Sequence, residues 1–577
     1  MAREHRWTLA SRPSRSSGIV EQLAREINVS EPLARILINR GIDTYNKAKE
    51  YFRPSFQYMH DPFLIDGMDR AVERMERALE SEEKILVFGD YDVDGTNGAS
   101  MLYLFFRKLG FPNERIVYHI PDRVKEGYGI SRYGIDRGKE FGATVMIAVD
   151  CGITAVEQVE YARSQGIDVI ICDHHEPGDR LPEAYAVLDP LKPGDAYPFK
   201  SLCGCGVGFK FIQAIAKSRG NEEMAHEFID FVTLATAADI VPLTGENRIL
   251  VKLGLERINT NPRPGLRALI ESSGLRFGKL NSGQIVFVIA PRNNAVGRLG
   301  DAMRAVELLT TEDEATARRY AQILEEENRN RRKIDEDTFI RAQELVENFL
   351  DLDNDAAIIL HQENWHPGVI GIVASRLVEK YYRPTVMMTT VNGVAKGSAR
   401  SIAGFDIHQA LKRVEDKLVQ FGGHKYAAGL AVEVDRVDEF RDAFNAVVKE
   451  LMSKELLVRE LSIDDEINLG ELTPRFVRLL HEFAPFGPGN QRAVFLARGV
   501  EVLGSPRIVG NNHLRFKVRQ NGRVLDAIGF SLGDMKDRLK QLIDVVFSVD
   551  ENDGYGNGDA FPQLKVKDFR EAVNQIP

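Results

Sequence analysis

The sequence predicts an α/β protein in which two α/β domains, joined by a long helix, precede a small C-terminal β-barrel. Three observations lead there. From about residue 84, short apolar runs alternate with helical stretches. Residues 311–349 carry a helical pattern free of Gly and Pro. Beyond about residue 490, apolar runs are broken by Gly and Asn turns. A chain of 577 residues also exceeds what one core supports, so several domains are expected.

Residues 1–55 read as a helical lead-in. The first α/β domain, residues 56–310, contains the apolar runs "KILVFG", "RIVYHI", "ATVMIAV", "DVIIC" and "YAVLD". Between them lie "NGASMLYLFFRKLG", "SRYGIDRGKEFG" and "AVEQVEYARSQG", helical in period and closed by glycine, a C-terminal capping signal. Continuous apolar strands separated by helices build a parallel sheet covered on both faces. A helical region follows, at about 205–275. The connector, 311–350, opens with acidic residues after threonines, as a helix N-terminus favours. Its "RNRRK" run reads as a solvated face. The second α/β domain, 351–453, is carried by "DAAIIL", "HPGVIGIVASRLVEKY", "PTVMMTT", "VAKGSARS" and "GLAVEV". Residues 454–577 hold "AVFLARGVEVLG", "HLRFKVRQ" and "RVLDAIGF", the pattern of a small barrel, and "DENDGYGNGDAF" reads as a loop.

Hydrophobic content of 44% and charged content of 28% are ordinary for a soluble globular protein, and no run approaches a membrane span. The first residues lack the apolar core of a secretory signal. Cys151, Cys172, Cys203 and Cys205 are too few for a disulfide framework, so a reducing, cytoplasmic location is expected. The C-x-C pair lacks zinc-ribbon spacing, and all four cysteines read as packing residues. A net charge of −10 excludes a generally basic nucleic-acid coat but not a local basic groove.

"FGDYDVDG" puts Asp90, Asp92 and Asp94 at alternate positions after an apolar run. Asp150 follows the run in "MIAVDCG", and Asp173, His174 and His175 follow the run in "VIICDHHEP". Residues just past the carboxyl ends of such strands share one crevice, so these side chains should converge. Asp239, ending "TLATAAD", could close the ring. Carboxylates mixed with imidazoles suit Mn²⁺ or Mg²⁺. Two such ions about 4 Å apart clamp the attacking and leaving oxygens of a phosphoryl displacement. Hydrolysis of a phosphate ester or anhydride is the indicated chemistry. One Asp after a strand is ordinarily a helix cap or turn residue; ligands at three strand ends favour a metal site.

"DYDVDG", "VDCG", "DHH" and "ATAAD", in that order, resemble the DHH phosphoesterase superfamily. "HPGVIGIVASRL", "GSARS" and "GGHKYAAGL" resemble its associated C-terminal domain, which would make 56–310 the DHH domain and 351–453 the DHH-associated domain. "PRNNAVGRLG" and "APFGPGN" resemble motifs of its branch of bacterial single-strand-specific 5′→3′ exonucleases. The likeness runs from about residue 60 to 570. Asn97, where the family has threonine or a similar residue, and Cys205, where a small residue is usual, depart from the pattern.

The resemblance implies that Asp94, Asp150, His174 and Asp239 hold one ion. Asp90, Asp92 and Asp150 would hold the other, with Asp150 bridging and a metal-activated water as nucleophile. His175 would orient the site or touch the scissile phosphate, and Asp173 would fix a histidine tautomer. Arg123, Arg298, Ser398 and Arg400 would grip the 5′-terminal phosphate and first nucleotides, and His424 would contact substrate. His366, before a proline, suits a capping or packing role as well as a substrate role. The barrel would be an OB-fold that binds single strands, with Phe516 among basic residues as a stacking surface; the alternative for that strand is one solvated face. The implied function is release of 5′-mononucleotides from single-stranded DNA in recombination and repair, by a monomer working with a helicase and a single-strand-binding protein and without a membrane. The alternative is a DHH phosphoesterase acting on short oligonucleotides or cyclic dinucleotides.

Overall fold

The N-terminal segment opens on a strand, His5–Leu9, ahead of three helices: α1 (Ile19–Glu26), α2 (Glu31–Asn39) and α3 (Tyr45–Phe52). The computed structural model describes residues 5–10, 18–123, 125–352, 354–552 and 561–572. They divide into two compact units, one of Trp7–Pro291, Ala302–Tyr320 and Leu461–Pro577, the other of Met1–Arg6, Arg292–Asp301 and Ala321–Glu460. The lead-in helices are part of the first unit's core. Leu33, Ala34, Ile36 and Leu37 lie on one face of α2 and are buried in a cluster with Phe476, Phe483 and Phe495 of the C-terminal region.

The apolar runs of the first α/β domain form a five-stranded sheet: β1 (Lys84–Gly89), β2 (Ile116–His119), β3 (Ala143–Val149), β4 (Asp168–Cys172) and β5 (Ala186–Leu188). Their order is β2-β1-β3-β4-β5, and every pairing is parallel. Helices α4 (Val93–Lys108), α5 (Arg132–Phe141) and α6 (Val156–Ser164) alternate with the strands. Ile85 to Phe88 and Val145 to Val149 are buried whichever way they point, as unbroken apolar runs require. Helices α7 (Gly204–Ser218), α8 (Ile229–Ala238) and α9 (Gly245–Thr260) follow; nearly all of α8 is buried, from Ile229 to Ala237.

The connector is α10 (Glu314–Phe349), started by the Asp313 carboxylate, which accepts the Thr316 N–H at 2.7 Å. Its "RNRRK" run is not wholly solvated. Arg331 is half-buried, and its Nη2 donates to Asn328 Oδ1 at 2.9 Å, because the helical period puts 328, 331 and 335 on one face.

The second unit holds a mixed sheet of β6 (Ile358–Gln362), β7 (Thr385–Val391), β8 (Val394–Arg400), β9 (Gln420–His424) and β10 (Ala427–Glu433), in the order β9-β10-β8-β7-β6. Only β6 and β7 pair in parallel, and α11 (Ile370–Tyr381) connects them. Asn392 and Gly393, both at positive φ, make the tight β7–β8 turn. Helix α12 (Val437–Leu451) buries Phe440 and Phe444 in this unit.

The C-terminal strands are β11 (Asp465–Glu466), β12 (Phe495–Val509), β13 (His513–Gln520), β14 (Arg523–Gly529), β15 (Leu542–Asn552) and β16 (Phe561–Glu571). β12-β13-β14-β16-β15 closes on itself through the β12–β15 pairing, giving a five-stranded barrel. Residues 553–560 of the expected glycine-rich loop lie outside the described residues. The structure corrects the reading of Phe516. It is buried beside Phe569 inside the barrel, while Arg515, Lys517 and Arg519 point outward, so Phe516 cannot stack on a base. Alternation along the strand puts every second residue on one face, and the basic residues took the wet one.

Arg248 of α9 ties the "APFGPGN" segment down. Its guanidinium is buried, stands 3.6 Å over the Tyr51 ring, and donates to the main-chain oxygens of Phe483 (2.9 Å), Ala484 (3.0 Å) and Tyr51 (3.2 Å). Burial pushes its pKa down to about 10, still charged at neutral pH. Arg248→Ala would take a donor from the Ala484 and Tyr51 oxygens, while Phe483 O keeps the Asn490 amide and the Tyr51 hydroxyl, and is expected to lower stability by about 1–3 kcal/mol, read as an earlier urea midpoint. Arg248→Lys should recover only part, because a point charge cannot reproduce the fork of donors.

Candidate metal centre and substrate residues

Asp90 directly follows β1. Asp92 caps α4: its Oδ1 accepts the N–H groups of Asp94 (2.9 Å) and Gly95 (3.2 Å). This cap turns Asp94 into the first helical turn, where it is buried. Its two carboxylate oxygens accept the N–H groups of Gly204 (2.6 Å) and Cys205 (2.8 Å) at the start of α7, the positive end of that helix. Asp150, after β3, sits at φ 62°, a left-handed conformation that Asp and Asn adopt more readily than other non-glycine residues.

Two glycines make these approaches possible. A Cβ on Gly95 would lie 2.3 Å from Asp90 N, and one on Gly204 would lie 2.6 Å from Asp150 Cα and Cβ. Gly204→Ala is therefore expected to push α7 off Asp150 and weaken Mn²⁺ binding at least about tenfold in a calorimetric titration, comparable to losing a supporting contact.

The sequence-predicted residues meet. His174 Nε2 is 3.3 Å from Asp150 Oδ1, 3.7 Å from Asp239 Oδ2 and 3.8 Å from Asp94 Oδ2. Among the described residues, three groupings have ligand atoms within 4.8 Å of one another: Asp94–His174–Asp239, Asp90–Asp92–Asp150 and Asp150–His174–His175. Asp150 belongs to two of them. Asp239 joins from the end of α8, not from the sheet.

Burial pushes the carboxyls of Asp90, Asp94, Asp150 and Asp239 above their ordinary range, and repulsion among the carboxylates adds to it. Among the described residues no lysine or arginine pairs with these four, and Asp90 Oδ1 is buried without a hydrogen-bond partner. Burial pushes His174 down, leaving a neutral ring with a lone pair to offer. Hard carboxylate oxygens, one neutral imidazole and unbalanced negative charge fit Mn²⁺ or Mg²⁺.

Asp173 is different. Burial opposes its ionisation, but His175 Nδ1 at 2.7 Å and the Ile153 N–H at 2.9 Å outweigh that and hold its pKa low. Burial likewise opposes protonation of His175, yet Asp173 pushes that ring up to about 9. The sequence reading passed over Tyr128, whose hydroxyl lies 3.2 Å from His175 Nε2. The aromatic in "EGYG" is the only signal the sequence carries for it. Arg123 lies near the same residues, its Cζ 5.1 Å over the Tyr91 ring.

The other substrate candidates belong to the second unit. Arg298 Nη1 donates to Gly368 O at 3.0 Å, just before α11. A Cβ on Gly371, in the first turn of α11, would lie 2.9 Å from Arg400 Nη2 and 3.1 Å from Ser398 Oγ, so these groups gather at that helix start. His424 is exposed and shares the β-ladder with Arg400, both paired to Ala427 of β10. His366 Nδ1 accepts the Gly368 N–H at 3.0 Å, which is a turn-capping contact.

Residues 84–236 match the DHH family N-terminal domain, 354–450 the DHHA1 domain, and 463–568 the RecJ OB domain. The single-stranded-DNA-specific exonuclease RecJ of Bacillus subtilis (strain 168) is 36% identical over 98% of this chain and 71% of its own length. Two crystal structures of RecJ from Thermus thermophilus are also similar. The complex with Mn²⁺ has a TM-score of 0.84 at 30% identity, covering 98% of this chain and 80% of that one. The complex with Mg²⁺ has a TM-score of 0.78 at 28% identity, covering 98% and 79%. A likeness that spans all three domains, at this identity over nearly the whole chain, means that the chain belongs to the RecJ family of DHH phosphoesterases.

Proposed function

We propose that this protein is a single-stranded-DNA-specific exonuclease that degrades from the 5′ end to 5′-mononucleotides with two divalent ions, Mn²⁺ or Mg²⁺. The observation that carries the reading is the meeting of Asp90, Asp92, Asp94, Asp150, His174 and Asp239 on buried and half-buried ground, where among the described residues no lysine or arginine pairs with Asp90, Asp94, Asp150 or Asp239, in a chain of the RecJ family. Asp94, Asp150, His174 and Asp239 would hold one ion, and Asp90, Asp92 and Asp150 the other. Such a pair supplies a water acidic enough to attack at neutral pH and stabilises charge on the phosphoryl oxygens.

The chain's own residues do the rest. The α7 N-terminus orients Asp94 through its two N–H donors. Asp173 fixes the His175 ring, whose Nε2 side can hydrogen-bond a phosphate oxygen. Arg298, Ser398 and Arg400 offer the clustered donors that a terminal phosphate requires, and Arg123 and His424 further contacts. In this reading residues 56–310 do the chemistry, 351–453 hold the strand end and 454–577 bind single-stranded DNA. Four free, buried cysteines suit a cytoplasmic setting. A monomer that works after a helicase and beside a single-strand-binding protein is what the family likeness suggests.

Two 5′-phosphorylated oligonucleotides of one sequence, labelled at opposite ends, test it. With Mn²⁺ the 5′ label is expected to leave first, as a mononucleotide, from single strands only. A blunt duplex and an EDTA sample should stay intact. If both oligonucleotides survive while a cyclic dinucleotide is cleaved, the substrate is a small phosphodiester instead.

A further inference from the structure

The first unit holds a cavity of about 350 Å³ that the proposed chemistry does not use. None of its lining residues belongs to the carboxylate–histidine cluster. Three segments wall it: residues 40–60, which include α3; the start of α9; and the "APFGPGN" segment, through Gly489 and Asn490. Its volume lies in the range of small-ligand sites, about 300–1,000 Å³.

The charge on the wall is unbalanced, with a sign opposite to that of the metal centre. Arg40 and Arg248 both line the cavity. Arg40 donates to Asn490 Oδ1 (2.7 Å), the Tyr51 hydroxyl (3.2 Å) and Gln491 O (2.6 Å). Arg248 donates to main-chain oxygens. All these partners are neutral, and among the described residues neither guanidinium forms an ion pair. Neutral dipoles hold a guanidinium in place without cancelling its charge. The two also repel: the Arg40 charge adds to the burial that lowers the Arg248 pKa. The buried carboxylate of the wall, Glu246, is already taken by Lys210 Nζ (2.7 Å) and the Tyr197 hydroxyl (2.5 Å). Lys47 and Glu50 stand at the exposed edge, where water and salt screen them.

Two further features point the same way. The sixteen-residue helix α9 begins at the cavity, and its Thr244 side chain makes no cap bond, so the positive end of the helix adds to the field. Tyr58, half-buried, and His60, exposed, contribute rings to the wall. Pinning the "APFGPGN" segment explains the hydrogen bonds of the two arginines. It explains neither the cavity nor the rings around it.

We propose that this cavity is a binding site for a nucleoside monophosphate, its phosphate drawn to Arg40, Arg248 and the α9 start and its base laid against Tyr58 and His60. A phosphate ion alone would answer the charge but leave most of the volume and the rings unused. Guanidinium groups suit a phosphate through paired donors, and a flat ring accepts any base. The ligand is of the class that the nuclease reading gives as product, but its binding does not depend on that reading.

The test is a calorimetric titration of the whole chain in EDTA with thymidine 5′-monophosphate, inorganic phosphate and thymidine. EDTA removes the ions through which a phosphate would bind the carboxylate cluster. The nucleotide is expected to bind at least about tenfold more tightly than phosphate or thymidine. Arg40→Gln should weaken nucleotide and phosphate at least about tenfold, the loss of a charged hydrogen bond. Tyr58→Leu should weaken the nucleotide only, and Asp150→Asn should bind it as wild type does. The proposal is overturned if the nucleotide gives no saturable heat below about 10 mM, or if phosphate binds as tightly. It is equally overturned if a folded Arg40→Gln protein binds like wild type, or if Asp150→Asn abolishes binding. Wild type and Asp150→Asn suffice should Arg40→Gln not fold. Because no hydrolysis is read, failure of the nuclease reading would leave this result untouched.

Discussion

Asp150→Asn is expected to lower hydrolysis at least about a thousandfold while leaving the protein folded. Asp150 is shared by two of the three ligand groupings, so its loss disturbs both candidate ion positions at once. The charge stabilisation of several kcal/mol that a metal pair supplies corresponds to at least three powers of ten in rate. Asparagine is the right replacement because the backbone there is left-handed, φ 62°, which Asn tolerates better than Ala. The measurement is single-turnover release of the 5′ label, with circular dichroism as the control for folding and calorimetry for Mn²⁺. A folded Asp150→Asn protein with wild-type rate would remove the basis of the metal-centre reading.

The second large effect is on stability. In EDTA the stability that the carboxylate cluster contributes is expected to fall as pH rises above about 4, the ordinary carboxylate range, read as the melting temperature of wild type relative to Asp150→Asn. Asp90, Asp94, Asp150 and Asp239 have raised carboxyl pKa values in the folded protein, from burial and then from one another. The folded state therefore binds protons more tightly than the unfolded chain. That stabilisation is complete below the unfolded value and is lost as pH climbs through the folded values. Asp173, held low, works the other way: it stabilises above its unfolded value and ceases to do so in acid.

Mn²⁺ should reverse the trend at neutral pH, since it binds ionised carboxylates and neutral imidazole. At a hundred times the dissociation constant, each site adds about 2.7 kcal/mol. Asp150→Asn isolates the cluster from the other titrating groups. It should melt higher than wild type in EDTA at pH 8 and respond little to Mn²⁺. Equal melting curves for the two proteins in EDTA, and equal shifts with Mn²⁺, would contradict this account.

How much of this could be read from the chain depends on the kind of contact. The five strands of the first sheet were legible because unbroken apolar runs between glycine-ended helices admit few other folds. The meeting of Asp90, Asp94, Asp150 and His174 was legible for the same reason: parallel strands deliver their carboxyl ends to one edge. Asp239 was legible as the acidic end of an apolar helix-like segment, and the motif order gave it a ligand role. Tyr128 was not legible at all, because one aromatic in a glycine-flanked segment has no period and no partner in sequence.

Local period also cannot choose between two faces. Phe516 and its basic neighbours alternate either way round, and only closure of the barrel put the phenylalanine inside. Helices α1 and α2 carry apolar stripes that had to be covered, but the barrel residues that cover them lie more than four hundred positions away. The sequence by itself determined the element order, the α/β class and the acidic strand ends, because backbone period and turn chemistry act over a few residues. Tertiary structure alone decided which faces were buried, where Arg248 found its carbonyls and which ring stands beside His175. Those contacts join residues far apart in the chain, and packing, not local preference, selects among them.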